Sequence, residues 1–141
     1  MFSTICKPGA RIEDIEEEIK QLEDREDRHL VVVTGTNNIQ MGRSEELMNK
    51  YKKLIDTCKN KRNRAITIVG IPSRYDLTNV QNSRRIGVNQ RVQRLCEASG
   101  IKFMEYECGR SRIAKDKLHL NNWGQDELAR MIFSHCKPFL V

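Results

Sequence analysis

Short apolar runs alternate with amphipathic stretches along the whole chain. Residues 2–6 read as a brief strand closed by Lys7-Pro8-Gly9. Ile12, Ile15, Ile19 and Leu22 then recur at helical spacing with acids on the other faces, which predicts a surface helix. Residues 30–34, Leu-Val-Val-Val-Thr, form a continuous β-branched run of the kind found in strands covered on both sides. Ser44 is a candidate N-cap, with Glu45 and Glu46 in the first turn where the helix dipole favours negative charge. Leu47, Met48, Tyr51, Leu54, Ile55 and Cys58 line one face of that helix. A strand over 65–71 ends at Pro72, and a polar loop leads to a helix over 86–98 carrying Val88, Val92, Leu95 and Cys96. Gly100 stops that helix in the usual left-handed C-cap position. Residues 101–106 are the last strand, 108–121 an irregular stretch, and the final helix turns Leu128, Met131 and Ile132 inward.

Strands alternating with helices imply parallel pairing, because each return crosses over through a helix. The expected architecture is α/β, a three-layer α/β/α sandwich around a flavodoxin-like parallel sheet. No repeat, low-complexity tract or linker divides the 141 residues, so a single domain over 1–141 is expected. Nothing approaches the roughly 18 consecutive apolar residues of a membrane span, and the N-terminus lacks the pattern of a signal peptide. Cys6, Cys58, Cys96, Cys108 and Cys136 are odd in number, widely spaced and free of any CxxC pair. That argues against a disulfide framework or a zinc site and for a reducing, cytoplasmic setting. The net charge of +6 raises the question of a nucleic-acid surface, yet basic residues interleave with acids, as in residues 23–28, Glu-Asp-Arg-Glu-Asp-Arg. A solvated face is the simpler account of that pattern.

In parallel sheets ligands bind beyond the carboxyl ends of the strands, so those ends are where chemistry is sought. Three carry suggestive groups: Pro8-Gly9-Ala10, Gly35-Thr36-Asn37-Asn38, and the loop Asp116-Lys117-Leu118-His119 followed by Leu120-Asn121-Asn122-Trp123-Gly124. If its segment curls, Asp116 reaches back to accept the Nδ1 proton of His119 and leaves Nε2 free as a base. Taken alone, though, Asp-x-x-His is common, and the plainer reading is that Asp116 caps a turn and His119 merely sits near the helix start. Asn37 is placed to donate to a developing oxyanion, or belongs to a plain Gly/Asn turn. Gly9 is likewise either turn chemistry or a point where a backbone N–H approaches a substrate.

In order, the blocks strand–PGA–helix, strand–GTNN–helix, strand–IPSR–helix and strand–DxxHLNxxG–helix resemble the SGNH (GDSL-like) hydrolase superfamily over nearly the whole chain. The resemblance implies a serine ester hydrolase acting on small acyl esters, with no metal or organic cofactor. It makes Asp116 the acid, His119 the general base, Gly9 a backbone oxyanion donor and Asn37 the side-chain donor, with Gly35 and Asn38 in the supporting loop. Residues 70–74, Gly-Ile-Pro-Ser-Arg, and a following helix with Asn89 are similar to the narrower branch of esterase-like domains in first-open-reading-frame proteins of non-LTR retrotransposons.

The chain departs from the family at two points. Asn38 stands where the family usually has aspartate. No Gly-Asp-Ser occurs in the sequence, so the nucleophile is expected upstream of Met1, on a first strand that would lie centrally between residues 2–6 and the valine run. Without that strand two rows of backbone groups lose their partners at roughly 1–3 kcal/mol apiece, unless the neighbours close up or another chain fills the gap. Neither Ser3, Ser73 nor Cys6 is an obvious replacement, although Cys6 lies at a strand end near Gly9. The competing function is a non-catalytic basic module binding nucleic acid or protein through Arg84, Arg85, Arg91 and Arg94 with Lys50, Lys52 and Lys53. A flavodoxin-like domain unrelated to esterases is the third reading, and it would lack the phosphate loop that such domains use.

Overall fold

The computed structural model describes residues 2–5, 11–22, 29–36, 38–39, 43–61 and 65–136. Its elements run β1 (Phe2–Ile5), α1 (Ile12–Lys20), β2 (His29–Val33), α2 (Ser44–Lys59), β3 (Ile66–Val69), α3 (Asn79–Ser99), β4 (Lys102–Met104), a 3-10 turn (Arg110–Arg112) and α4 (Asn122–Cys136). The strands form one parallel sheet in the order β1-β2-β3-β4. When every crossover moves one strand in the same direction and is right-handed, the connecting helices must share a face. They do: α1, α2 and α3 pack on Leu30, Val32, Ile66 and Ile68 in one core. Alternate residues along the strands point to the other side, where Val31, Val69 and Met104 meet Tyr106, Ile113 and Ile132 of the C-terminal segment. The result is the expected three layers, with α4 covering the second face.

Burial explains the apolar stripes. Ile12, Ile15 and Ile19 are all but inaccessible to solvent, each contributing about 1.5–3 kcal/mol by leaving water. On α2 the stripe from Leu47 to Cys58 is buried as the spacing requires. Arg43, rather than Ser44, is the N-cap of α2, and no side chain caps that end, so the acids of the first turn carry the role. On α4 Ile132 is buried and Leu128 packs partly against the core, but Met131 is 36% exposed and does not face inward.

The gap expected between residues 2–6 and the valine run is absent. β1 pairs directly with β2, Phe2 opposite His29 through Ile5 opposite Val32, and β2 pairs with β3 on its other side. Parallel strands all present the same slanted ladder, so removing one from the interior leaves neighbours with matching donors and acceptors. β2 therefore has no open edge.

α3 begins seven residues before the expected position. Thr78 Oγ1 accepts from Gln81 N (3.1 Å) and Gln81 Oε1 accepts from Thr78 N (3.0 Å), a reciprocal capping box. The buried face of the helix is Arg85, Val88, Asn89, Val92 and Cys96. A charged residue on the inner stripe, Arg85, hid its first turns from an apolar pattern. Gly100, with φ of 72°, closes the helix as anticipated.

Candidate active site

The loop after β2 carries a glycine at a position that strains any side chain. Gly35 has a φ of +101°, and a Cβ there would overlap the Tyr51 hydroxyl and stand 2.7 Å from Ile71 Cγ1. Tyr51 Oη in turn donates to Thr34 O (3.3 Å). The turn closes with Asn38 N donating to Gly35 O (3.0 Å). Asn38 is buried, accepts the Ile12 N–H through Oδ1 (3.0 Å) and offers Nδ2 to Glu13 Oε2 (3.4 Å). Asn38, which stands where the resemblance expects aspartate, thus caps α1, and its amide donor faces a carboxylate. Gly9 and Asn37, the two expected oxyanion donors, lie outside the described residues, as does Cys6.

Beyond β4 the chain forms a small hairpin. Ile113 and Leu120 make an antiparallel bridge, Ala114 N donates to His119 O (2.8 Å), and Lys117 takes the left-handed conformation with φ of 65°. Inside it Asp116 Oδ1 accepts from Leu118 N (2.9 Å) and His119 N (3.0 Å), while Oδ2 lies 2.5 Å from His119 Nδ1. Asp116 therefore caps the turn and contacts the imidazole at once. The bond to His119, then those from the two backbone amides, hold the Asp116 carboxyl down at about 2. The His119 side chain is 75% exposed. With Nδ1 committed to Asp116, Nε2 is the ring nitrogen available as a base.

Sequence reasoning gave no role to what holds these loops. Arg74, on the segment after β3, is buried; its Nε and Nη2 bind Asp76 Oδ1 (2.9 Å) and Oδ2 (2.6 Å), and Nη1 donates to Thr36 O (2.8 Å). That guanidinium keeps the Asp76 carboxyl low, against the opposing charge of Asp116. Next to it Tyr75 N donates to Lys117 O (2.7 Å), and Tyr75 Oη donates to Cys108 O (2.7 Å). The Gly35 loop and the Asp116–His119 hairpin are thereby both tied to residues 74–76, at the carboxyl end of the sheet.

Asn121 and Gly124 belong to the strand-end motif, and the structure explains both. Asn121 Oδ1 accepts from Gly124 N (2.9 Å), its Nδ2 donates to Ser111 O (2.7 Å), and its own N–H donates to Arg112 O (2.9 Å). At Gly124 a Cβ would collide with that same Arg112 carbonyl. The motif therefore docks α4 against the 3-10 turn and sets where the His119 hairpin begins and ends.

No nucleophile is assembled among the described residues. Ser73 Oγ donates to Glu107 Oε2 (2.8 Å) and accepts from Cys108 N (3.0 Å), so it is a structural hydroxyl. Burial pushes the Cys108 thiol up, away from the thiolate a nucleophile needs. Beside them Arg85 is buried, with Nη1 and Nη2 on the two Glu107 oxygens (2.7 and 3.1 Å) and Nε on Asn82 (3.0 Å). Arg85 therefore cannot be the surface contact expected from the sequence. Ser73, Arg74, Tyr75, Asn82, Arg85 and Glu107 border a polar cavity of about 280 Å³. Among the described residues no group of three or more His, Cys, Asp or Glu side chains could hold a metal ion, and no helix is long and apolar enough to cross a membrane.

The fold is one shared with esterase domains of solved structure. The chain is similar to the esterase domain of the ZfL2-1 ORF1 protein from the zebrafish ZfL2-1 retrotransposon, at 25% identity and a TM-score of 0.61 over 96% of this chain and 87% of that one. It is also similar to a Clostridium thermocellum family 3 carbohydrate esterase (17% identity, TM-score 0.67, 94% and 67% of the two chains). A third similar structure, from Streptococcus pneumonia and described as a platelet activating factor, gives 18% identity and a TM-score of 0.69 over 94% and 69%. No family model and no curated protein matches the sequence.

Proposed function

We propose that this domain supplies the acid–base and oxyanion half of an SGNH-type hydrolase of small acyl esters. The reading is carried by the Asp116–His119 pair, joined at 2.5 Å at the end of the sheet where such sites lie. In a complete site of this type a serine, which no described residue supplies, attacks the ester carbonyl, and its proton passes to His119 Nε2. Asp116 holds the ring and steadies the imidazolium. The Gly9 N–H and the Asn37 amide donate to the tetrahedral oxyanion. Collapse expels the alcohol, which takes the proton from His119, and water then releases the acid by the same base. Likeness to the zebrafish retrotransposon domain supports kinship with first-open-reading-frame esterases. The buried free thiols Cys58, Cys96 and Cys108 support a reducing, cytoplasmic setting. The test is p-nitrophenyl acetate turnover by this chain extended with a Gly-Asp-Ser strand from a similar esterase, which must part β1 from β2 to take the central place expected of it. Turnover lost in His119→Ala supports the reading; turnover indifferent to His119 refutes it.

One observation favours a second reading, a site for nucleic-acid phosphates. Lys52, Arg91 and Arg94 surround a groove of about 240 Å³ between α2 and α3, floored by Met48 and Leu95. Of the other basic candidates, Lys50 pairs with Glu13 and Arg84 donates to Ile39 O, while Arg91 in the groove pairs with Glu45. Binding of a single-stranded oligonucleotide that falls with salt and weakens at least about tenfold in a Lys52→Glu/Arg94→Glu variant supports this role. Salt-independent binding, or none, rejects it.

A further inference from the structure

We propose that the cavity bordered by Tyr75, Asn82, Arg85 and Glu107 binds a vicinal diol, the paired hydroxyls of a furanose or pyranose ring. The site goes beyond the hydrolase reading and does not depend on it. At about 280 Å³ the space is at the lower edge of the roughly 300–1,000 Å³ of small-molecule sites, which suits one ring rather than a chain. It opens where the segments after β3 and β4 meet the start of α3, at the carboxyl end of the sheet. Parallel sheets take their ligands at that end.

The wall is built on Arg85, whose side chain is 4% exposed. Its Nε donates to Asn82 Oδ1 (3.0 Å), Nη1 to Glu107 Oε1 (2.7 Å) and Nη2 to Glu107 Oε2 (3.1 Å). A guanidinium is planar and rigid, so one group presents an amide and a carboxylate side by side. Ser73 Oγ pins the carboxylate further with a bond to Oε2 (2.8 Å). Both partners keep capacity to spare. Asn82 spends its oxygen on Arg85, and among the described residues no group accepts from its Nδ2. Glu107 Oε1 takes one bond, from Arg85, where a carboxylate oxygen has room for two. A donor and an acceptor held together in this way complement two adjacent hydroxyls, one accepting from Asn82 Nδ2 while its neighbour donates to Glu107 Oε1. Charge argues against an anion. Glu107 matches Arg85 and Asp76 matches Arg74, so an anionic ligand would meet a carboxylate with no spare cation. Tyr75 supplies the apolar side: its hydroxyl is fixed on Cys108 O (2.7 Å), and the residue stays 41% exposed. The electron-rich face of such a ring suits the C–H side of a sugar.

Side-chain amide NMR of this chain decides, with uridine, deoxyuridine, methyl mannopyranoside and inorganic phosphate as probes. A diol should move the Asn82 Nδ2 resonances to saturation in the millimolar range. Saturation by uridine points to a ribose ring, and saturation by the mannoside to a hexose. Deoxyuridine, which lacks the diol, should bind at least about tenfold more weakly than uridine, because it leaves a polar group of the site unpaired. Phosphate should not compete. Asn82→Asp keeps the acceptor for Arg85 Nε and removes the donor, so it should fold as the parent does and bind the diol at least about tenfold more weakly. If that variant does not fold, Tyr75→Leu takes its place; it keeps the backbone bond to Lys117 and removes the aromatic face. An Asn82 amide that neither uridine nor the mannoside moves overturns the site and leaves solvent as the occupant of the cavity. Deoxyuridine binding equal to that of uridine, displacement by phosphate, or binding unchanged in the folded variant overturns it as well.

Discussion

Asn38 Oδ1 accepts the backbone N–H of Ile12 at 3.0 Å, so a side chain in the loop after β2 caps the helix that precedes β2. Its Nδ2 faces Glu13 at 3.4 Å, an arrangement only an amide satisfies. Asn38→Asp keeps the acceptor but sets a buried carboxylate against Glu13, and should cost about 1–2 kcal/mol. Chemical denaturation measures this, and Glu13→Gln should recover most of the loss. An Asn38→Asp protein as stable as the parent would show that the Glu13 contact has no energetic weight.

Gly35→Ala should cost about 2 kcal/mol or more, from a φ of +101° and overlap with Tyr51 and Ile71. Tyr51→Phe removes the hydroxyl that the new Cβ would strike. Thermal melts of the four proteins should therefore give a double substitution less damaging than the sum of the singles. Additive losses would place the strain in the backbone alone.

The Asp116 carboxyl is held at about 2, so it stays ionised where an unfolded aspartate would already be protonated. A depressed folded value means that its contribution to the hairpin is present above the ordinary aspartate range, near 4. It is lost as pH falls toward 2. Carbon-detected NMR of the carboxyl should show this midpoint, with the Leu118 and His119 amide shifts moving together with it. His119→Ala should bring the midpoint upward; an unmoved midpoint would mean that the backbone amides alone hold it.

Arg85→Ala should cost about 2 kcal/mol, somewhat less than a fully buried pair because the Glu107 side chain is 46% exposed. Urea denaturation should register the loss. Glu107→Gln should cost less, since the amide still accepts from Arg85.

What was legible in the sequence is what burial writes in a regular period. The valine run and the stripes on α1 and α2 announced a parallel α/β sandwich, because those residues pack by apolar area alone. Residues 79–85 escaped because the inner face there carries Arg85, which packs through a bidentate bond to Glu107, a partner 22 residues on. Their visible signal was Thr78-x-x-Gln81, read only as loop. The hold of Arg74 on Thr36 O gave no local sign, since that carbonyl lies 38 residues away, although its other partner, Asp76, is close in sequence. The pair Asp116 and His119 was readable because three residues is the reach of a turn. That the sheet closes without a strand between β1 and β2 depends on matching ladders, which no side-chain pattern records.

The most direct test is fluorophosphonate labelling read by intact-mass and peptide mass spectrometry. The folded chain over 1–141 should carry no adduct. The same chain extended by a Gly-Asp-Ser strand should carry one, on that serine, and should lose it in His119→Ala. A serine adduct that persists without His119, or a folded extended protein that takes none, would contradict the assignment of Asp116 and His119 as the acid–base pair of an ester hydrolase.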